Sequence, residues 1–203
     1  MRIAVIGASG NAGSRITAEL ARRGHQVTAI VRHPEKVPVQ ANVTALTGDV
    51  QDPAGLAARL AGHDAAVSSV RFIDSDPARL ISAAKASKVG RYLVVGGAGS
   101  LEVAPGIRLV TTPGFPAAYK AEAEAGAAFL DLLRGESDLN WTFLSPSALF
   151  VAGDRTGRFR LGTDQLLTAA DGKSSISFED FAVALADEIE RPAHPRQRFT
   201  VGY

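Results

Sequence analysis

Three glycines spaced three residues apart stand near the start of the chain, as Gly7, Gly10 and Gly13. The first would permit a tight turn, the second would let the backbone approach a pyrophosphate, and the third would let a helix pack closely on a strand. Free N–H groups at the start of that helix attract phosphate oxygens. The whole stretch is therefore predicted to bind the pyrophosphate of a dinucleotide: Gly7, Ala8, Ser9, Gly10, Asn11, Ala12 and Gly13. An ordinary glycine-rich turn is the alternative.

The residue after the second apolar run bears on which dinucleotide is bound. NAD sites usually place an acidic residue there, which binds the ribose 2′-hydroxyl. This chain has Arg32 instead, with no acidic residue before Glu35. A guanidinium can bind a 2′-phosphate through two parallel hydrogen bonds, so NADP(H) is the expected cofactor, while NAD(H) stays open as a second one. The alternative is a solvated arginine at a strand end.

Other residues follow the later apolar runs, where ligands bind in open α/β sheets. Asp49 is predicted to accept a hydrogen bond from the adenine amino group and Val50 to pack on the ring. A turn aspartate is an equal alternative for Asp49. Five more residues with this placement are predicted to complete the cofactor site: Ser68 and Ser69 after the fourth run, Gly97 after the fifth, and Pro146 and Ser147 after the sixth.

The elements that must position these residues alternate along the chain. Short apolar runs predict strands over 3–6, 26–31, 43–46, 65–70, 92–95 and 141–144, and helical spacing predicts helices over 11–23, 53–61, 77–88 and 117–134. This alternation predicts an α/β, Rossmann-type doubly wound parallel sheet with helices on both faces. In the helix predicted over 117–134, the apolar stripe is Ala121, Ala125, Ala128, Phe129 and Leu132.

The end of the chain predicts smaller elements. Short strands are expected over 158–161, 174–177 and 199–201, and a helix over 179–190. No convincing linker separates them from the rest. We therefore expect a single NAD(P)-binding domain over 1–203, in which 145–203 includes a small C-terminal cap on the substrate side.

Composition limits the class of protein further. The 203 residues include 22 basic and 21 acidic side chains, so the basic excess typical of nucleic-acid binding is missing. No cysteine is present, and the four histidines show no metal-ligand spacing, so no metal site is expected. The first apolar run is too short for a secretory signal or a membrane span. We expect a cytoplasmic monomer or homodimer whose partner is a small planar molecule, with no nucleic-acid or membrane partner.

These features together resemble the atypical short-chain dehydrogenase/reductase superfamily. The glycine loop, Arg32 and the stretches 48–50 and 94–100 carry that likeness. More narrowly, the chain resembles the NmrA-like NAD(P)H-binding group, which includes biliverdin reductase B-type flavin reductases and a bacterial set of NADH-flavin reductases. The stretches 138–146, 176–180 and 198–203 carry the narrower likeness, which covers nearly the whole chain.

The resemblance implies a catalytic lysine without its usual tyrosine. The superfamily's Tyr-x-x-x-Lys motif lies on the helix before the sixth strand, and Lys120 matches the lysine that binds the nicotinamide ribose. The position four residues earlier is Pro116, and Tyr119 would point about 100° away from Lys120 on a helix. Lys120 and Ser100, a hydrogen-bonding group in the loop after the fifth strand, are the candidate catalytic residues, and an exposed helix lysine is an equal alternative for Lys120.

The missing tyrosine bears on the reaction, because carbonyl reduction needs a general acid. A flavin accepts hydride at N5 and delocalises the charge, so the protein mainly has to stack two rings. The expected activity is hydride transfer from NADPH to a flavin or similar planar acceptor, with the flavin as substrate rather than bound cofactor. A non-catalytic, NmrA-like redox-sensing or regulatory protein is the main alternative, and a nucleoside-sugar epimerase is a weaker one.

Overall fold

The computed structural model describes all 203 residues and is built around an eight-stranded sheet. In chain order the strands are β1 (Arg2–Ile6), β2 (Gln26–Val31), β3 (Val43–Thr47), β4 (Ala65–Ser68), β5 (Arg91–Val95), β6 (Glu102–Ala104), β7 (Ile107–Arg108), β8 (Trp141–Pro146), β9 (Leu149–Val151), β10 (Arg160–Gly162), β11 (Ser175–Ser177) and β12 (Gln197–Gly202). The α-helices are α1 (Asn11–Arg22), α2 (Pro53–Leu60), α3 (Pro77–Ser87), α4 (Ala117–Arg134) and α5 (Phe178–Glu190).

The strand order of the large sheet creates a crevice at one edge. The order is β3-β2-β1-β4-β5-β8-β12-β10, and every neighbouring pair is parallel except β10 with β12. From β1 the chain builds outward first on the β2 side and then on the β4 side. The connections leaving β1 and β4 therefore diverge, and such a switch point is where open α/β sheets bind ligands.

Helices cover both faces of this sheet, as the sequence predicts. On one face α1 and α5 bury Ile16 and Phe181 completely. On the other face α2, α3 and α4 contribute Leu56, Leu80 and Phe129 to a second apolar cluster. The central strands are apolar on both sides because both sides are covered. The predicted doubly wound α/β fold is confirmed.

The apolar stripe predicted for α4 is wrong in part, since Phe129 is buried and Ala125 packs against the core but the other three residues do not. The buried face of α4 is Gly126, Ala127, Phe129, Leu130 and Leu133, whereas Ala121 and Ala128 are exposed and half of Leu132 is exposed. The buried face begins at Gly126, which carries no apolar side chain, so the spacing of apolar residues could not predict its position. The loop over 97–116 contains the β6–β7 hairpin and a 3₁₀ helix over Leu109–Thr111.

The segment beyond β8 forms the β10–β12 side of the large sheet and a separate two-stranded parallel sheet of β9 and β11. Asp180, fully buried in the first turn of α5, accepts hydrogen bonds from Thr156 Oγ1 at 2.6 Å and from the Gly157 N–H at 2.7 Å. Arg155 binds the buried carboxylate of Glu19 on α1 at 2.9 Å. These contacts hold the loop after β9 against α1 and α5. None of the five helices is long and apolar enough to cross a membrane.

Candidate functional site

The glycine loop joins β1 to α1 in a geometry that two of its glycines make possible. Gly7 has φ +79°, and a Cβ there would lie 2.2 Å from the Ser69 carbonyl oxygen. A Cβ on Gly13 would lie 2.2 Å from the carbonyl oxygen of Gly7. No side chain could occupy either position without moving backbone. Gly7 and Gly13 therefore let the loop fold tightly between β1, β4 and α1.

Gly10 differs from the other two, since it is exposed and its conformation suits any residue, with φ −75° and ψ 173°. It is the N-cap of α1, and no side chain caps this helix end. Asp52 caps α2, Asp76 caps α3 and Ser177 caps α5 through their side chains, whereas α4, with Pro116 as its N-cap, is uncapped like α1 but does not open into the cleft described below. Uncapped N–H groups at a helix start attract anions. The start of α1 thus has the open backbone donors that a pyrophosphate would use.

A cleft of about 310 Å³ opens beside this loop, at the carboxyl ends of the first four strands. Seven of the predicted cofactor residues line it, namely Gly7, Ser9, Gly10, Arg32, Asp49, Val50 and Ser69. The remaining lining residues are Ile6, Ile30, Val31, Gly48, Gln51, Val70, Arg71 and Asp74. The cleft therefore combines apolar strand ends with an open glycine loop and two arginines.

The other residues predicted around the glycine loop do not line this cleft. Ala8, Ala12 and Gly13 are buried behind the loop, where they pack α1 on the sheet. Asn11 is exposed at the first position of α1. Ser68 is buried within β4, so its side chain belongs to the sheet interior rather than to the cleft edge.

Arg32 is available to a ligand because the neighbouring acid is already engaged. Its side chain is exposed at the end of β2 and forms no salt bridge within the chain. The Glu35 carboxylate instead contacts His33 Nδ1 at 3.1 Å. A cleft-lining guanidinium without an internal counterion fits a phosphate on the adenosine ribose.

Asp49 has the role that the alternative interpretation assigned to it. One of its carboxylate oxygens accepts the Gln51 N–H at 2.9 Å, which is the geometry of an aspartate turn. The residue also lines the cleft and is exposed, so this turn directs the carboxylate group to the cleft without removing it from solvent. Val50 is half-buried beside it and offers an apolar contact.

One wall of the cleft, which contains Arg71 and Asp74, was not predicted from the sequence. Arg71 and Asp74, in the loop after β4, line the cleft and form an exposed ion pair at 3.3 Å. Gln51 donates to the Asp74 carbonyl oxygen at 3.2 Å and so links this loop to the one after β3. The signal that could have found them is their position, only a few residues beyond the switch-point strand β4.

The residues predicted for the nicotinamide end lie outside this cleft. Two of the serines among them form hydrogen bonds to other parts of the packed chain. Ser100 is buried and its Oγ accepts from Arg198 at 3.4 Å. Ser147 is buried and donates to the Val201 carbonyl oxygen at 3.1 Å. The expected role of Ser100 in an open pocket is therefore corrected, because its hydroxyl faces a buried guanidinium from β12.

Arg198 itself is a buried group. Burial lowers the pKa of its guanidinium, while the hydrogen bond from its Nε to Asp164, at 2.8 Å, opposes that change. Pro146 is buried in β8, and Gly97 is half-buried with Phe72 3.7 Å from its Cβ position. These residues form packed structure around the end of β5 and β8.

Lys120 lies on the exposed side of the first part of α4. Its side chain is 57% exposed, and its only ion-pair contact is Glu124 at 4.0 Å. Tyr119 is 68% exposed, and Pro116 is the N-cap of the helix where the superfamily motif would place tyrosine. The structure thus shows no buried proton donor beside Lys120, and the ribose contact of Lys120 stays a prediction. No group of three or more His, Asp or Glu side chains is arranged to hold a metal ion.

Comparison with known proteins adds a family and three close structures. The NAD(P)H-binding family matches residues 7–192. A Burkholderia pseudomallei structure, provisionally described as an exported protein, is 48% identical, with TM-score 0.90 and coverage of 100% of both chains. A Bacteroides thetaiotaomicron structure, provisionally described as an epimerase, is 39% identical, with TM-score 0.95 and coverage of 100% of this chain and 96% of that one. Streptococcus pneumoniae SP1627, provisionally described as an NADH-flavin reductase, is 37% identical, with TM-score 0.84 and coverage of 100% and 99%.

These three descriptions differ in activity and location, whereas the fold is common to all three. The family match begins at Gly7 and runs past the end of α5, so it includes the glycine loop and every residue that lines the cleft except Ile6. Fold, loop geometry and family match agree. The chain belongs to the NAD(P)H-binding family.

Proposed function

We propose that this protein is an NADPH-dependent oxidoreductase that reduces a free flavin or a similar planar acceptor. The observation that carries the proposal is the cleft itself, in which an uncapped helix start and an unpaired Arg32 face the same space. In this assignment the glycine loop binds the pyrophosphate, Arg32 binds the 2′-phosphate, and Asp49 and Val50 contact adenine. Bound NADPH would supply the hydride.

The choice of acceptor follows from what the chain does not offer as a proton donor. Pro116 occupies the tyrosine position, Tyr119 is mostly exposed, and Ser100 is buried against Arg198. A carbonyl substrate would need a positioned acid for its developing alkoxide. A flavin needs stacking on the nicotinamide and no such acid, so a flavin-like ring is the acceptor that these residues could serve. The description of SP1627 as an NADH-flavin reductase supports the same choice.

A second function is favoured by the same surroundings of Lys120. The side chain lies on the surface, paired only with Glu124. With no side chain positioned to act on an acceptor, the protein would hold NADP(H) without catalysis, as a redox-sensing protein of the NmrA-like kind, unless the acceptor is one that, like a flavin, needs no such side chain. Epimerisation, suggested by the description of the Bacteroides structure, would need the missing acid–base tyrosine as well.

One assay separates these functions. Oxidation of NADPH and of NADH is followed at 340 nm with added FMN, FAD and riboflavin, with flavin-only and enzyme-only reactions as blanks. The reductase proposal requires a saturable, enzyme-dependent rate, larger with NADPH. Tight NADPH binding without turnover on any flavin or quinone would refute it and support the sensor, whereas no dinucleotide binding would refute both.

We further propose a cytoplasmic location, where NADPH is available as reductant, and a monomer or homodimer with no nucleic-acid or membrane partner. The exported description of the Burkholderia relative makes location worth testing directly. Fractionation of cells that express the full chain should recover it with cytoplasmic markers, and recovery outside the cell membrane would contradict the proposal. Light scattering on the purified protein gives the mass of the assembly.

A further inference from the structure

The loop between β4 and α3, residues 69–76, forms one wall of the dinucleotide cleft. Four of its residues line the cleft, namely Ser69, Val70, Arg71 and Asp74. The wall also contacts the glycine loop, since a Cβ on Gly7 would lie 2.2 Å from the Ser69 carbonyl oxygen and 3.0 Å from a methyl group of Val70. A shift of this wall would therefore change the width of the cleft.

Phe72 anchors the middle of the wall in the core beneath α4. Its ring packs edge-on against Phe129 with centroids 6.0 Å apart, and it stacks on Phe143 at 6.4 Å. A Cβ on Gly126 of α4 would lie 2.7 Å from the ring, so a glycine at this position lets the ring fit. The wall is thus built against α4, the helix that also carries Lys120.

Glu122 lies one helical turn before Gly126 on the same face of α4 and binds the wall through its backbone. Its Oε1 accepts the Phe72 N–H at 2.8 Å, and its Oε2 accepts the Ile73 N–H at 3.1 Å. The carboxylate has no salt bridge to any lysine, arginine or histidine, so these two amides are its hydrogen-bond partners. Hydrogen bonds to a charged acceptor are about twice as strong as neutral ones, so the two bonds from Glu122 should restrain the backbone of Phe72 and Ile73.

We propose that Glu122 is a positioning residue for dinucleotide binding, because it fixes a cleft wall that it does not itself line. Through the two amides it holds Arg71 and Asp74 along the cleft. Without the carboxylate the wall would sample positions in which Arg71 leaves the cleft, and the apparent affinity would fall with the fraction of competent molecules. The inference rests on the dinucleotide-binding part of the proposed function and is independent of the acceptor.

The test compares NADPH dissociation constants of the full chain and its variants by fluorescence titration. Glu122→Gln keeps the size of the side chain but can accept only one of the two bonds, so its Kd should rise about threefold; Glu122→Ala should raise Kd about tenfold, or about 1.4 kcal/mol. The matched control is Asp131→Asn, which removes a carboxylate on the same helix that contacts Arg108 and Arg134, outside the cleft. Its Kd should stay within about twofold of wild type, a change of less than about 0.5 kcal/mol.

Two further measurements distinguish positioning from general stabilisation. Hydrogen exchange at the Phe72 and Ile73 amides should accelerate in the Glu122 variants and not in the control, with circular dichroism unchanged. In an Arg71→Ala background, Glu122→Gln should lose most of its effect on Kd, because the proposed effect of Glu122 acts through the position of Arg71, and coupled sites are not additive.

The results that would contradict the positioning role of Glu122 differ from those that would contradict the proposed function. Unchanged Kd in both Glu122 variants, or additive losses with Arg71→Ala, would overturn the positioning role while wild-type NADPH binding stands. A wild-type chain that binds neither NADPH nor NADH would overturn the positioning role together with the proposed function.

Discussion

Alanine substitutions in the glycine loop should show that Gly10 is needed for dinucleotide binding and that Gly13 is needed for the stability of the fold. Gly10 has an ordinary extended conformation, and its Cβ would lie 3.3 Å from the Gly7 carbonyl oxygen. The Cβ of an alanine at position 13 would lie only 2.2 Å from the same oxygen. We predict that Gly10→Ala folds normally and loses dinucleotide affinity, whereas Gly13→Ala loses stability.

The expected size of each effect follows from these distances. At Gly10, alanine is a poorer N-cap by up to about 1 kcal/mol, while reduced freedom of the unfolded chain returns about 0.4–1 kcal/mol. These nearly cancel, and the Gly7 carbonyl oxygen must move by a few tenths of an ångström away from the new Cβ, so the melting temperature should fall by no more than about 3 °C. At Gly13 the overlap with backbone must be relieved by displacing α1 or β1, which typically costs about 1–3 kcal/mol and lowers the melting temperature by roughly 3–10 °C.

Two measurements on the same preparations test this division. Thermal unfolding by circular dichroism gives stability, and NADPH titration gives affinity. A methyl group on Gly10 would occupy the space of the pyrophosphate, so Kd should rise at least about 30-fold, or about 2 kcal/mol. Ser14→Ala, on the same helix outside the cleft, is the control and should bind as wild type. Undiminished NADPH binding by Gly10→Ala would refute the placement of the pyrophosphate.

Three further predictions concern single side chains. Arg32→Ala should raise the Kd for NADPH roughly 10- to 100-fold, since hydrogen bonds to charged groups contribute about 1.5–3 kcal/mol, and should leave NADH nearly unchanged; equal losses would show that Arg32 does not bind the 2′-phosphate. Lys120→Met should weaken NADPH binding and flavin reduction but not binding of 2′,5′-ADP, which lacks the nicotinamide ribose; unchanged kcat/KM would remove Lys120 from the site. Burial raises the pKa of Glu19, but hydrogen bonds from three arginines outweigh it and lower the pKa to about 2, from 4.5. This contribution to stability, on the order of 3 kcal/mol, is complete above about pH 4.5 and is lost as pH falls towards 2; an unchanged acid unfolding profile in Glu19→Gln would contradict it.

The centre of the large sheet could be predicted from sequence because β1, β2, β4, β5 and β8 are short apolar runs covered on both faces. Run length and strand length then coincide, as the predicted 26–31 and the observed β2 show. The glycine loop was equally accessible, since its chemistry depends on backbone and spacing within seven residues. Residues that act through local backbone can be assigned without knowledge of the rest of the chain.

Contacts between distant segments could not be predicted in this way. Ser100 has the sequence context of an open loop, but Arg198 reaches it from a strand 98 positions later. Arg71 has the sequence context of a solvated charge, and only the switch-point geometry brings it to the cleft. The buried face of α4 begins at Gly126, where packing against Phe72 rather than apolar periodicity selects the residue. In each case the deciding partner lies outside the window in which periodicity is read.

The two ends of the proposed site are built by different means, and this difference bears on the chemistry. At the adenosine end, the backbone of the glycine loop is packed closely between β1, β4 and α1, and Arg32, Asp49 and Val50 line the same cleft. The nicotinamide end has an exposed Lys120 and a proline in place of tyrosine. Binding free energy would therefore come from a part of the cofactor remote from the reacting carbon, which can orient that carbon without contacting the acceptor. An open face over an oriented nicotinamide suits an acceptor that stacks and carries its own charge-delocalising ring, and it does not suit a substrate that depends on a protein proton donor.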